Sequence, residues 1–150
     1  MTTDPFDLER FVTAQGNAET GTYRQALDEL RAGRKQSHWM WFVFPQIAGL
    51  GQSPISRRYA ITSLAEARAY LQHPVLGPRL VDCAGAIDAL RDTSAVAIFG
   101  QVDAQKLQSS MTLFALADPD QPVFQDVLDR YFGGAADRAT LELVGSTGSR

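Results

Sequence analysis

The sequence predicts a mainly α-helical protein, folded as a compact single-domain bundle of short helices. Its 150 residues are most simply one domain, and its hydrophobic (45%) and charged (21%) fractions are those of a globular chain. Helix caps and helix breakers recur along the chain. Between them, apolar residues follow helical spacing and rarely the alternation typical of strands, which favours helices throughout.

The first two predicted helices open at polar caps. Asp4, followed by Pro5, opens the first helix, and Thr20 or Thr22 opens the second, which ends at Gly33. A capping side chain accepts a hydrogen bond from the first turn, and glycine readily adopts the left-handed conformation that ends many helices. We therefore expect two helices before the apolar stretch that follows.

The stretch SHWMWFVFPQ, residues 37–46, is open to two interpretations. The residues from Trp39 to Phe44 are all apolar, so their period does not separate a buried strand from a buried helix. Aromatic and β-branched residues favour a strand, whereas Ser37 as a cap favours a helix. Because the neighbouring segments are helical, we expect a short buried helix here.

The next predicted helices are marked in the same way. Ser53 with Pro54 opens one helix, Ser63 and Glu66 form the capping box of another, and a longer helix covers about Leu76 to Leu90. These signals are local, so each helix is predicted independently of the others.

Four helices are predicted in the remaining third of the chain. Ser94 opens a short helix that Gly100 ends, and Asp103, Asp120 and Asp137 each cap one of the three that follow. Aromatic and aliphatic residues of the 37–46 stretch and of the helix after Asp103 are expected to share one core. These residues are Trp41, Phe42, Phe44, Leu107, Met111 and Phe114.

Charge and composition exclude several classes of protein. A net charge of −3 argues against nucleic-acid binding, and Cys83 as the only cysteine excludes a disulfide within the chain. Neither a signal peptide nor an apolar run long enough to span a bilayer is visible, so we expect a cytoplasmic protein without a membrane partner. The domain is expected to cover residues 1–145, with residues 146–150 as a frayed tail.

Two segments of the chain are specific enough to indicate a family: HWMWFVFPQ (residues 38–46) and KLQSSMTLF (residues 106–114). By these segments, and by further ones that extend the match over nearly the whole chain, the sequence resembles the bacterial DUF1810 family of proteins of unknown function. The resemblance implies a mainly helical single domain and brings no established activity.

Two other features of the family bear on function. Some members are labelled calpastatin, but such an inhibitor would be a disordered repeat protein, and this chain has no repeats. Some relatives are joined to macro domains, which handle ADP-ribose, and this suggests NAD or ADP-ribose metabolism by analogy alone.

The 38–46 segment contains four candidate ligand-binding residues. His38 is a candidate acid or base, or a structural hydrogen bonder, and Trp39 and Trp41 are candidate pocket walls or core residues. Gln46 can contact the edge of a ligand or brace a loop. No His or Cys spacing indicates a metal site. The sequence does not say whether the protein binds a cofactor.

A second set of candidates lies on the helix after Asp103. Lys106, Ser109 and Ser110 share a face with Leu113 at helical spacing, opposite the apolar stripe. A lysine with two hydroxyl groups can bind a phosphate or a carboxylate. The alternative is a solvated lysine with serines bonded back to the helix.

The segment GLGQSPISRR, residues 49–58, is a candidate anion site. Its glycines allow close approach of the backbone, Ser53 caps a helix, and Arg57 and Arg58 follow one turn later. The alternative is a tight loop with two surface arginines.

These residues support three hypotheses of different classes. The first is a module that binds a phosphorylated or nucleotide-like small ligand, for which NAD and ADP-ribose are candidates by analogy with the relatives joined to macro domains. The second is a hydrolase or transferase acting on such a ligand, with His38 as acid or base. The third is a protein-interaction scaffold without a ligand site. The sequence leaves open whether the protein is an enzyme and what its oligomeric state is.

Overall fold

The computed structural model describes residues 4–146, which fold into ten α-helices with no β-strand among them. The helices are α1 (Glu9–Gln15), α2 (Thr22–Arg31), α3 (Met40–Val43), α4 (Pro54–Arg58), α5 (Leu64–Gln72), α6 (Leu76–Asp88), α7 (Ala95–Phe99), α8 (Gln101–Ala117), α9 (Pro122–Phe132) and α10 (Arg138–Ser146). The prediction of a mainly helical fold is confirmed. Most of the expected tail, residues 147–150, lies outside the described part.

α8 is the longest helix and the centre of the fold. It packs against α5, α7, α9 and α10. The predicted apolar stripe, which includes Leu107 and Phe114, is buried. Ser110 and Leu113 on the adjacent face are fully buried as well, because α8 is enclosed by helices around much of its second half.

Aromatic rings connect four helices through the core. Phe11 of α1 contacts Tyr70 of α5 edge to face at 5.1 Å between ring centroids, and Tyr70 lies 5.4 Å from Phe114 of α8. Phe114 lies 5.9 Å from Phe124 of α9. Such pairs stabilise the fold beyond the area that they bury. Of the six residues expected in the core, Trp41 and Phe42 are only partly buried.

Several predicted caps are present in the structure. The hydroxyl groups of Ser53, Ser63 and Ser94 each accept a hydrogen bond from the backbone amide three residues later. Asp137 accepts bonds from the amide and hydroxyl of Thr140, at 3.0 and 2.6 Å, and so caps α10. Local capping chemistry therefore predicted these four helix starts.

Other predicted caps are wrong in full or in part. α1 begins at Glu9 and not next to Asp4, where Asp7 adopts a positive φ of 53°, but the Asp4 carboxylate still accepts hydrogen bonds from the amides of Leu8 and Glu9 at 2.7 and 2.9 Å. The cap position of α2 is Gly21, so neither Thr20 nor Thr22 caps this helix. α8 begins directly after Gly100, so Asp103 lies inside its first turn. The cap of α9 is Gln121 and not Asp120.

The stretch of residues 37–46 contains a short helix, α3, as expected, but Ser37 does not cap it. α3 begins after Trp39, and the hydroxyl group of Ser37 donates to a carboxylate oxygen of Glu29 at 2.6 Å. After α3 the chain runs alongside the segment before α5, where an isolated parallel bridge pairs Ile47 with Ile61. This bridge fixes the backbone that carries Gln46, whose carbonyl accepts from the Ile61 amide at 2.9 Å.

The carboxylate of Glu29 on α2 holds the segment that leads into α3. It accepts hydrogen bonds from the indole N–H of Trp39 at 2.9 Å, from the Ser37 hydroxyl, and from the backbone amides of Gln36 and Ser37. Burial acts to raise the pKa of Glu29, but these donors outweigh burial and hold it below its ordinary value. We call this set of contacts the Glu29 clamp.

None of the helices in residues 4–146 has the length and apolar character needed to cross a membrane.

Replacing Phe114 with Ala should lower the free energy of unfolding by about 3–5 kcal/mol, because the ring is fully buried and its loss leaves a cavity. Chemical denaturation measures the loss. The control Val96→Ala, at a side chain that is 56% exposed, should change stability by less than about 0.5 kcal/mol. A loss under about 1 kcal/mol for Phe114→Ala would contradict the central position of this ring.

Replacing Glu29 with Gln should lower stability at neutral pH by roughly 1–3 kcal/mol, because a charged acceptor of four hydrogen bonds is lost. The pKa of Glu29 is depressed in the folded protein. The clamp therefore contributes fully above the ordinary pKa of 4.5 and loses its contribution as the pH falls through the folded value. The free energy of unfolding of Glu29→Gln should therefore fall less steeply than that of the wild type as the pH is lowered.

The matched control for the Glu29 clamp is Asp28→Asn on the same helix. Asp28 is exposed and its pairing with Arg24, at 3.5 Å, is a surface ion pair of small energy. Parallel acid denaturation curves for wild type and Glu29→Gln would contradict the role assigned to the clamp.

Candidate functional site

An open cleft of about 280 Å³ lies between the 41–51 segment, the first half of α8 and the start of α10. Trp41, Gln46 and Gly51 line it from the 41–51 segment. The polar residues that line it from α8 and from the cap of α10 are Gln105, Lys106, Ser109 and Asp137. The cleft thus combines an aromatic wall with a small number of polar groups, as is typical of small-molecule sites.

Lys106 brings a positive charge to the aromatic wall. Its ammonium nitrogen lies 4.3 Å from the centroid of the Trp41 ring and 3.0 Å from Oδ1 of Asp103. The other carboxylate oxygen of Asp103 binds the ammonium group of Lys35 at 2.9 Å. Burial acts to raise the pKa of Asp103, but the two lysines outweigh it and hold the pKa below its ordinary value.

Gln46 is the least satisfied polar residue of the cleft. Its side chain is almost entirely buried, at 7% exposure for the residue, and its Nε2 has no hydrogen-bond partner among the described residues. Leaving a buried donor unpaired costs about 1–3 kcal/mol. An apolar side chain of the same size would avoid this cost.

Two further polar residues of the cleft, Ser109 and Asp137, are held by hydrogen bonds within the protein. The hydroxyl group of Ser109 donates to the carbonyl of Gln105 at 3.1 Å, and Oδ2 of Asp137 accepts both bonds from Thr140. The backbone amide of Asp137 donates to the Thr112 hydroxyl at 2.8 Å. The Asp137 carboxylate is therefore held rigidly in the lining.

A second, smaller cavity of about 140 Å³ adjoins the cleft and shares Trp41 and Gly51 with it. Arg57 is the one charged residue that lines this cavity. A Cβ atom at Gly51 would lie 2.5 Å from Cβ of Ser56 and 3.3 Å from the Trp41 ring. Only glycine therefore fits between these side chains.

The structure brings together four of the predicted site residues and separates the others. Trp41, Gln46, Lys106 and Ser109 line the cleft. Arg57 lines the adjoining cavity.

Five predicted site residues lie outside both cavities. His38 is exposed and lines neither cavity, so the structure does not group it with Lys106. Trp39 is fully buried with its indole N–H on Glu29, and Ser110 is fully buried in the core. Ser53 caps α4, and the guanidinium of Arg58 lies over the Tyr59 ring at 5.6 Å.

Sequence reasoning missed two residues that shape the cleft. Asp137 was interpreted only as a helix cap, and its capping bonds are real, but the same carboxylate also lines the cleft. Asp103 was interpreted as a cap and instead bridges Lys35 and Lys106. The spacing of Asp103 and Lys106, three apart on a helix, is the signal that indicates such a pair.

Within residues 4–146 no group of three or more His, Cys, Asp or Glu side chains is placed to hold a metal ion.

Comparisons with known proteins identify the family of this chain. The crystal structure of the conserved hypothetical protein Rv1873 from Mycobacterium tuberculosis at 1.38 Å is similar, with 54% sequence identity and a TM-score of 0.90. The match covers 95% of this chain and 99% of that chain. A comparison with curated proteins gives no significant match. The family model described as "Protein of unknown function (DUF1810)" matches residues 5–144, and the chain therefore belongs to the DUF1810 family.

Proposed function

We propose that the protein binds a phosphorylated or nucleotide-like small ligand in the cleft between the 41–51 segment, α8 and α10. The observation that carries this proposal is the unpaired, buried amide of Gln46 in the lining. A group that lowers the stability of the ligand-free protein is typical of a functional site, where stability is given up for activity.

The other lining groups suit such a ligand. Lys106 uses one of its three donors on Asp103, so further donors remain for a ligand oxygen. The partly buried indole of Trp41 offers apolar contact for a ring, and the volume of about 280 Å³ lies just below the range of about 300–1,000 Å³ for ligand pockets. The cleft is too small to enclose a whole dinucleotide, so a larger ligand would insert one part.

The alternative of a hydrolase or transferase with His38 as acid or base gains no support. His38 is exposed and is not among the residues that line the cleft, so no contact connects it with Gln46 or Lys106. The scaffold alternative leaves the unpaired amide of Gln46 unexplained.

Calorimetric titration with AMP, ADP-ribose and NAD should detect a ligand for the wild type. Gln46→Met should weaken its binding at least about tenfold, because a hydrogen bond to a buried group is lost. The melting temperature of the ligand-free variant should be unchanged or higher, because Met removes an unpaired buried amide. Lys106→Met should also weaken binding.

The matched control is Ser110→Ala. Its hydroxyl group is also buried without a partner among residues 4–146, but it lies outside the cleft. The control should keep the affinity of the wild type and likewise melt no earlier. Full affinity in Gln46→Met, or equal loss in Ser110→Ala, would refute the site; absence of binding by all three ligands would refute the proposed ligand class.

A further inference from the structure

We infer that the cleft recognises an uncharged planar ring through a carboxamide or lactam edge, and not the phosphate of the ligand. This inference rests on the proposed function and names the part of the ligand that enters the cleft. It depends on the charges around the cleft, on the unpaired groups in its lining and on its size.

The charges at the cleft cancel. Asp103 bridges the ammonium groups of Lys35 and Lys106, and the Asp137 carboxylate forms part of the lining. Two positive and two negative groups leave no formal excess of positive charge. A phosphate group, with a charge of about −1.5 to −2, would compete with Asp103 for Lys106 and be repelled by Asp137.

The unpaired groups suit a ligand edge that both donates and accepts. Nε2 of Gln46 is buried without a hydrogen-bond partner among residues 4–146. Within the same residues, no side chain or amide donates to Oε1 of Gln46 or to Oδ1 of Asp137, since both bonds from Thr140 go to Oδ2. A carboxamide or lactam offers a carbonyl to an amide nitrogen and an N–H to an amide or carboxylate oxygen. A carboxylate offers acceptors alone, so it would face the oxygens of Gln46 and Asp137 without a donor.

The size of the cleft agrees with a single ring. A volume of about 280 Å³ accommodates a ring with a short substituent beside the half-buried indole of Trp41. The ammonium group of Lys106 lies over this indole and is available to a ring carbonyl at the same wall. The sugar and phosphate of a nucleotide-like ligand would then extend out of the opening.

Nicotinamide and nicotinate test the inference, because they differ only in an amide and a carboxylate. Uracil and 1,3-dimethyluracil form a second pair, in which methylation removes both lactam N–H donors. Saturation-transfer NMR and calorimetry at neutral pH should show binding of nicotinamide or uracil to the wild type. Its matched partner should bind at least about tenfold more weakly, since a site with paired polar groups rejects an analogue that leaves them unpaired.

Two variants assign the preference to the cleft. Gln46→Met should lose the binding of the neutral ring, whereas Ser110→Ala should keep it. Asp137→Asn should reduce the difference in affinity between nicotinamide and nicotinate. Circular dichroism checks that α10 remains folded in this variant. Retention of the full preference in Gln46→Met would overturn the inference.

Binding of nicotinate or inorganic phosphate as tight as that of nicotinamide, and lost in Lys106→Met, would identify an anion site and overturn the inference. Binding of AMP, ADP-ribose or NAD with no binding of any neutral ring would also overturn it. In both cases the proposed function would stand. Failure of every ring and every nucleotide to bind would refute both proposals.

Discussion

The position of the cleft depends on one partly buried acid, Glu29 of α2. Its carboxylate collects the indole N–H of Trp39, a hydroxyl group and two backbone amides, and so fixes the turn that precedes α3. α3 is only four residues long and has no side-chain cap, so little within the helix itself stabilises it. Because Trp41 and Gln46 follow within seven residues of Trp39, their positions in the lining are set by a contact made outside the cleft.

Asp103 connects this clamped segment to α8. The backbone of Lys35 binds the carbonyl of Ile98 at 2.8 Å, and its ammonium group reaches Asp103 and the carbonyl of Ser37. Asp103 in turn holds Lys106 over the ring of Trp41. The two sides of the cleft are thus joined by one carboxylate, which orients Lys106 in the ligand-free protein. Under the proposed function, this orientation would lower the entropic cost of binding.

The sequence predicted the helices better than the site, and the reason is physical. The caps Ser53, Ser63 and Ser94 act within three residues, so the local sequence is enough to predict them. The local sequence of α8 does not predict which of its faces is exposed, because this depends on the neighbouring helices. These helices bury Ser110 as completely as Leu107. His38 and Gln46 flank the same apolar run, yet only Gln46 lines the cleft. His38 lies between Ser37 and Trp39, which both bind Glu29, whereas the backbone of Gln46 is paired with Ile61.

Unpaired burial alone does not identify a functional residue in this protein. Gln46 and Ser110 are both buried with an unpaired polar atom, and folded proteins keep few such groups. Compared with an alanine at the same position, Ser110 adds only one hydroxyl group to the core, and this small size makes its unpaired burial tolerable. A glutamine is long and flexible, so burying it also costs side-chain entropy. Gln46 carries this larger cost where its side chain borders an open cleft beside Lys106 and Asp137. Under the proposed function, a ligand in the cleft supplies the missing hydrogen bonds.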